Sequence, residues 1–220
     1  MNQSLGSMGT ATAKGLFPCG IKRLFDIVAG LIVLVLGIPL MGVVALVIKL
    51  DSQGPVFYID SRLGKNGEHF SCFKFRTMKQ NCDFALEEYL QAVPTAGQEW
   101  EKFAKLRNFD PRLTTVGGKL RRYSLDELPQ LFNVIKGEMS LVGPRPYLPR
   151  EEKQMGYCAS IILQTTPGMT GLWQVRGRNS VDFHGRLLLD IWYVRNWTLW
   201  LDVIILVKTI KVVLTGRDAY

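Results

Sequence analysis

The chain has 220 residues, 47% of them hydrophobic, and a formal net charge of +8 at pH 7. That length suits one domain of ordinary size with attachments, and the charge predicts an anionic partner: nucleic acid, a phosphorylated substrate or a membrane surface. Four cysteines without a CxxC pair and two histidines, His69 and His184, argue against a zinc site or a disulfide framework.

Cysteine usage of this kind fits a reducing cytosolic setting, and both histidines are expected at the surface. Residues 1–20 are rich in Gly, Ser, Thr and Ala and read as a flexible tail. Residues 21–50 form the next unit, in which Ile27–Ile48 gives 22 residues without a charge, long enough to cross a bilayer. Lys14, Lys22 and Arg23 precede this run and Lys49, Arg62 and Lys65 follow it, so the positive-inside rule gives no direction. Pro39 lies near its middle, where it removes a backbone hydrogen bond and kinks a helix. Each half is then roughly 17 Å long, about one leaflet. A hairpin that enters and leaves by one face and a straight span with a tolerated proline both satisfy these features.

Residues 51–220 read as one cytosolic domain. Val56–Ile59 reads as a strand, Gly64-Lys65-Asn66-Gly67 as a hairpin turn, and a second strand follows. Its period of two places Phe73 and Phe75 on one face and displays Lys74 and Arg76 together on the other. Residues 81–108 are polar and predict two helices broken near Val93-Pro94-Thr95. Asp110-Pro111-Arg112 opens a loop, and Gly117-Gly118 leads into the basic turn Lys119, Arg121 and Arg122.

The stretch RRYSLDELPQLFNVIKGEMSLVGPRP, from Arg121 to Pro146, frames Asp126 and Glu127 between basic clusters: Arg121 and Arg122 before, Arg145 after. Ser124 predicts an N-cap, and Leu125, Leu128, Leu131, Phe132 and Ile135 recur at helical spacing, so both carboxylates are expected in a first helical turn. Ser124 and Glu127 also fit a capping box, a purely structural role. Cations on both sides of a carboxylate pair suit a phosphate approaching an acidic nucleophile, and a divalent cation such as magnesium would screen the repulsion. Pro167–Gln174 is turn-rich, Arg176-Gly177-Arg178 is a compact cationic loop, and Arg186–Val213 reads as an amphipathic helical region carrying Trp192, Tyr193, Trp197 and Trp200. That region suits either a membrane interface or a buried core helix.

Taken together, these blocks resemble the monotopic bacterial phosphoglycosyl transferases, the polyprenyl-phosphate sugar-phosphate transferases that initiate surface-glycan assembly. The pieces that carry the resemblance are KLDSQGPVFY (Lys49–Tyr58), KFRTM (Lys74–Met78), DPRLTTVG (Asp110–Gly117), SLDELPQLFNVIKGEMSLVGPRP (Ser124–Pro146) and PGMTGLWQVRGRN (Pro167–Asn179). They span about residues 21 to 220, and the end of the chain is similar to members acting on UDP-galactose or UDP-glucose. The resemblance implies an α+β fold, mainly helical, with a re-entrant membrane helix broken at Pro39, a small β element and interfacial amphipathic helices. It implies the cytosolic face of the bacterial inner membrane, and a member of minimal length.

The resemblance further implies that Asp126 attacks the β-phosphate of a UDP-sugar, expelling UMP and forming a covalent sugar-phosphate that undecaprenyl phosphate then takes. Mg²⁺ would bind at Asp126, Glu127 would act as the base of the lipid step, and Arg145 would contact phosphate. Lys74, Arg76, Arg112, Arg121, Arg176 and Arg178 are carried over as diphosphate or nucleotide contacts. Two positions depart from the family pattern: Ile38 stands where many members have serine before the proline, and Ser180 where many have aspartate, with Asp182 nearby. The expected partners are the UDP-sugar, undecaprenyl phosphate and membrane lipids, with no nucleic acid because no such motif is present; a homodimer is compatible with the sequence. A non-catalytic membrane scaffold with a basic surface also accounts for the charge and the apolar run, but gives no reason for Asp126-Glu127 beside Arg145.

Overall fold

The computed structural model describes residues 19–80, 82–103, 106, 109–177 and 181–215. Its longest element is α1 (Cys19–Asp51), 33 residues and about 50 Å at the helical rise. Pro39 lies inside this one continuous helix rather than between two. One stripe of α1, through Asp26, Gly30, Met41, Val44 and Ile48, is buried against the rest of the chain on both sides of the proline. The opposite side exposes Val28, Leu31, Ile32, Val35, Leu36, Val43, Leu46 and Leu50, an apolar surface that water does not favour.

Both ends of α1 are tied to the same globular body. At the start, Arg23 donates to the Val134 and Ile135 carbonyls at 2.5 and 2.6 Å, Lys22 donates to the Val142 carbonyl at 3.1 Å, and Asp26 accepts from the Leu141 amide at 3.1 Å. At the end, Asp51 accepts from the Val116 amide at 3.3 Å and Lys49 donates to the Gly54 carbonyl at 2.9 Å.

An antiparallel ribbon follows, β1 (Phe57–Leu63) with β2 (His69–Phe75), in register from Phe57 opposite Phe75 to Leu63 opposite His69. The expected turn closes it, with Asn66 and Gly67 both at positive φ (58° and 79°), the conformation that Asn and Gly tolerate best. The polar segment forms the two expected helices, α2 (Asp83–Ala92) and α3 (Pro94–Phe103), with Pro94 opening the second. Next comes α4 (Thr115–Arg122), which Thr114 caps by accepting from the Gly117 amide at 2.9 Å.

The expected helix from Ser124 is replaced by two pieces: a 3₁₀ turn at Leu125–Glu127, then α5 (Gln130–Lys136). Ser124 is left-handed (φ 53°, ψ 23°) and makes no side-chain cap, because an N-cap needs an extended backbone there. Pro129 then stands ahead of α5 and supplies no amide to continue the ladder.

Strand β3 (Ser140–Val142) pairs in parallel with β4 (Gly168–Thr170), Ser140 opposite Gly168 and Val142 opposite Thr170. Between them lie α6 (Glu152–Met155) and α7 (Ala159–Ile162). The two backbones pass so closely that a Cβ on Gly143, Gly168 or Gly171 would fall onto the backbone of the facing segment. Gly143 donates to the Thr170 carbonyl at 2.9 Å and Gly168 to the Pro144 carbonyl at 2.8 Å. Glycine in both the VGPRP and PGMTG blocks thus fixes where the Arg145 loop sits.

After α8 (Leu172–Arg176) come α9 (Phe183–Arg195), capped by Asp182 accepting from Gly185 at 2.8 Å, and α10 (Leu199–Thr215). The single amphipathic region read from sequence is therefore two helices. Each has both faces that the sequence left open: Leu187, Asp190, Tyr193, Asp202 and Ile205 are buried, whereas Trp192, Trp200, Val207, Ile210 and Leu214 are exposed. The main core joins Leu131, Val134, Met139, Leu141, Val142, Leu172, Tyr193 and Ile205 beneath β2, α5, β3, α8, α9 and α10. His69 and His184 lie at the surface, as expected.

Candidate active site

The turn at Leu125–Glu127 lies against β2, and this contact brings carboxylates and cations together. Glu127 accepts from Lys74 Nζ at 3.0 Å, so its side chain reaches across to the ribbon rather than back to Ser124, and no capping box forms. Asp126 is buried, 8% exposed. Burial, with Glu127 second, pushes its carboxyl up to about 6, against the opposing pull of Lys74 and Arg121. Burial alone would make Lys74 less basic, but Glu127 and then Asp126 outweigh it and hold the ammonium charged.

Arg121, in the last turn of α4, donates Nε to Thr77 Oγ1 at 2.9 Å, and its positive charge favours the ionised forms of both Asp126 and Asp110. Arg112 holds Asp110 with two side-chain bonds, 2.9 and 2.7 Å, and lies 5.0 Å from the Trp100 ring. Burial would raise Asp110, but the Arg112 bonds and charge, helped by Arg121, hold it below the usual carboxylate range. Asp126, Glu127, Lys74, Arg121 and, through Asp110, Arg112 thus act on one another as one charged group.

Arg76 does not join it. Its buried guanidinium donates to the carbonyls of Pro55, Gln53 and Ser52 at 2.6, 2.6 and 2.9 Å, clamping the turn that follows α1. The alternation of β2 also ends at Phe75, so Lys74 and Arg76 are not displayed side by side. Three of its five N–H donors are thus engaged by backbone, and Arg76 stands apart from the carboxylate pair.

Arg145 belongs to a second group. Its backbone amide donates to Asp190 Oδ2 at 3.1 Å, and its guanidinium carbon lies 5.6 Å from the Trp173 ring. Tyr147 donates its hydroxyl to the same Asp190 oxygen at 2.8 Å. Asp190 is wholly buried on α9, and burial pushes its carboxyl up to about 7. Arg62, on β1, links the groups: it pairs with Asp60 at 2.5 Å, donates to the Pro146 carbonyl at 3.1 Å, and its charge is felt at Lys74. Arg176 is exposed at the end of α8, and Arg178 and Ser180 lie outside the described residues.

Sequence reading missed Arg62, Asp190 and Asp202. Asp60 and Arg62 are two apart on a strand, which places them on one face, and Asp190 and Asp202 are lone acids in apolar helical runs. A lone acid in such a run signals a buried, partnered carboxylate.

Asp126 and Glu127 are hard oxygen donors of the kind magnesium takes. Among the described residues no three His, Cys, Asp or Glu side chains cluster as a preformed cage. A set this small fits magnesium, which is commonly held by one or two carboxylates with substrate phosphates and water completing the shell.

The family model described as bacterial sugar transferase matches residues 18–216. The chain is 51% identical over 202 residues to the undecaprenyl-phosphate galactose phosphotransferase of Salmonella typhimurium, an alignment covering 91% of this chain and 42% of that protein. It is 46% identical over 199 residues to the exopolysaccharide production protein ExoY of Rhizobium meliloti, covering 90% and 88%. With the undecaprenyl-phosphate glucose phosphotransferase of Komagataeibacter xylinus it shares 39% identity over 212 residues, covering 90% and 37%. The chain thus spans less than half the length of several relatives and most of ExoY. It belongs to the bacterial sugar transferase family.

Proposed function

We propose that the chain transfers a hexose phosphate from a UDP-sugar to undecaprenyl phosphate, giving undecaprenyl-diphospho-sugar and UMP, for exopolysaccharide, capsule or O-antigen type glycans. The observation that carries this reading is a buried aspartate beside a second carboxylate that Lys74 holds, with the charges of Lys74 and Arg121 acting on that aspartate, in a chain whose relatives are named for such transfers. The scaffold alternative finds no support in those names.

In the proposed reaction the Asp126 carboxylate attacks the β-phosphorus. The new Asp126 O–P bond forms as the P–O bond to UMP breaks, and UMP leaves with the electron pair. A phosphate oxygen of the lipid then attacks the same phosphorus, and Asp126 departs as carboxylate. Burial leaves Asp126 poorly solvated and so a better nucleophile once ionised. Lys74 and Arg121 offset negative charge that gathers on the phosphoryl oxygens. Glu127, oriented by Lys74, is the base proposed to take a proton from the lipid phosphate. Magnesium, held by Asp126, would screen carboxylate from phosphate when bound.

Membrane placement is proposed to be monotopic, with the domain on the cytosolic face. Its support is that both ends of α1 bond to one globular body while the opposite side of the helix is apolar and exposed. A soluble nucleotide sugar and a lipid phosphate can meet at that surface without charges being drawn into hydrocarbon. UMP release from a panel of UDP-hexoses, with magnesium and undecaprenyl phosphate, tests the reading and identifies the donor. A folded, lipid-supplied preparation that releases UMP from none of them would contradict it.

A further inference from the structure

Arg145 and Arg186 approach one side chain from different elements. Arg145 stands in the loop after β3 and Arg186 near the start of α9, and their guanidinium carbons lie 5.6 and 5.1 Å from the centroid of the Trp173 ring. Like charges are thereby held near each other. Burial, and next the Arg145 charge, make Arg186 less basic than an ordinary arginine.

Several other part-buried cations have their charge answered within the chain. Lys74 has Glu127, Arg112 has Asp110, Arg62 has Asp60, Lys22 has Asp202, and Arg76 has three carbonyls. Among the described residues neither Arg145 nor Arg186 has a carboxylate oxygen within 4.0 Å. Arg186 spends Nε on the Val181 carbonyl at 3.1 Å, and Arg145 Nε is buried with no hydrogen-bond partner. Trp173, only 8% exposed, also has its Nε1 buried and unpartnered. Asp190 pins the Arg145 backbone and leaves the guanidinium to other work.

A ring between two arginines is also a known way to pack their planar heads, worth a modest cation–π energy. Packing alone leaves the repulsion and the unpartnered donors unanswered. An anion answers both, and guanidinium forks match phosphoryl oxygens well.

We propose that Arg145 and Arg186, both seated on Trp173, together bind one phosphoryl group, which makes Arg186 a substrate-binding residue. This inference rests on the phosphoglycosyl-transfer reading, in which the anion is either the diphosphate of the nucleotide sugar or the phosphate of the lipid. The bond from Arg62 to the Pro146 carbonyl sets this loop against the ribbon that also carries Lys74.

The test compares the full chain with Arg186→Gln and Arg186→Lys in lipid nanodiscs. It reads KM for the UDP-sugar and for undecaprenyl phosphate, and thermal protection by UDP and by undecaprenyl phosphate without turnover. Arg186→Gln is expected to raise one of the two KM values by about 10- to 100-fold, the loss of a charge-assisted contact, with the ligand-free melting temperature unchanged. Arg186→Lys recovers part of that loss, because charge remains without the fork. A rise for the UDP-sugar, with weaker UDP protection, assigns the nucleotide diphosphate; a rise for undecaprenyl phosphate, with weaker protection by it, assigns the lipid phosphate. Unchanged KM values and unchanged protection overturn the proposal. If the wild-type chain releases no UMP, the transfer reading falls, and the protection arm still decides whether Arg186 helps bind phosphate.

Discussion

Lys22 and Asp202 offer a quantitative test of what holds α1 to the domain. Asp202 is wholly buried, and its carboxylate meets Lys22 Nζ at 2.6 Å, the Tyr193 hydroxyl at 2.7 Å and Trp197 Nε1 at 3.1 Å. At an effective dielectric of about 20, charges at that distance attract by roughly 6 kcal/mol, and desolvating both takes back much of it. Removing one partner is costlier than the net worth of the pair, because the other charge stays buried and unanswered. Lys22→Met should therefore destabilise the protein by about 3–5 kcal/mol. Asp202→Asn should cost less, since its amide oxygen still accepts from Tyr193 or Trp197. The double variant should fall short of the sum of the two singles by about 2 kcal/mol, a coupling that neighbours in one network show. Denaturant unfolding of the detergent-solubilised protein, followed by tryptophan fluorescence, measures all three. Singles that add to within about 0.5 kcal/mol would show that the pair does not fasten the helix, and would refute the reasoning.

Other consequences follow from the same geometry. Asp126 must be ionised to attack, so initial rates of UMP release should fall on an acidic limb near pH 6, and raising magnesium should move that limb to lower pH; a limb that ignored magnesium would separate the metal from Asp126. Asp190 has a raised carboxyl in the folded chain, so folding takes up a proton between pH 3.8 and about 7, and its contribution to stability is full at the acid end and lost as pH rises. Unfolding free energies should show the wild type losing about 2 kcal/mol relative to Asp190→Asn between pH 5 and pH 7. Gly168→Ala would force a Cβ onto the Gly143 backbone and should lower stability by about 1–3 kcal/mol in the same assay, while Gly118→Ala, whose Cβ meets nothing within 4 Å, should not.

Local chemistry made some of this fold legible. Asn66 and Gly67 announce a turn because their own backbones tolerate positive φ, and Pro94 announces a helix start because it needs no amide there. The carboxylate pair between basic clusters was legible for the same reason, as residue types in a short stretch. Its secondary structure was not: Ser124 takes a left-handed backbone and Pro129 interrupts the ladder, so five residues with helical spacing became a 3₁₀ turn and a short helix.

Side-chain direction was legible where partners were not. Alternation put Lys74 on one face of a strand, but only the fold puts Glu127 opposite it, or turns Arg76 back onto the chain after α1. Asp190 and Asp202 find partners 43 and 9 residues away in Tyr147 and Tyr193, a pairing no local period encodes.

The central claim is that Asp126 carries the sugar phosphate. Intact-protein mass spectrometry of the chain incubated with its UDP-hexose and magnesium, without undecaprenyl phosphate, tests it most directly. The account predicts an added mass of one hexose phosphate, located at Asp126 by peptide mapping, absent from Asp126→Asn, and discharged when undecaprenyl phosphate is supplied. Sustained turnover by Asp126→Asn, or an adduct on another residue, would contradict it.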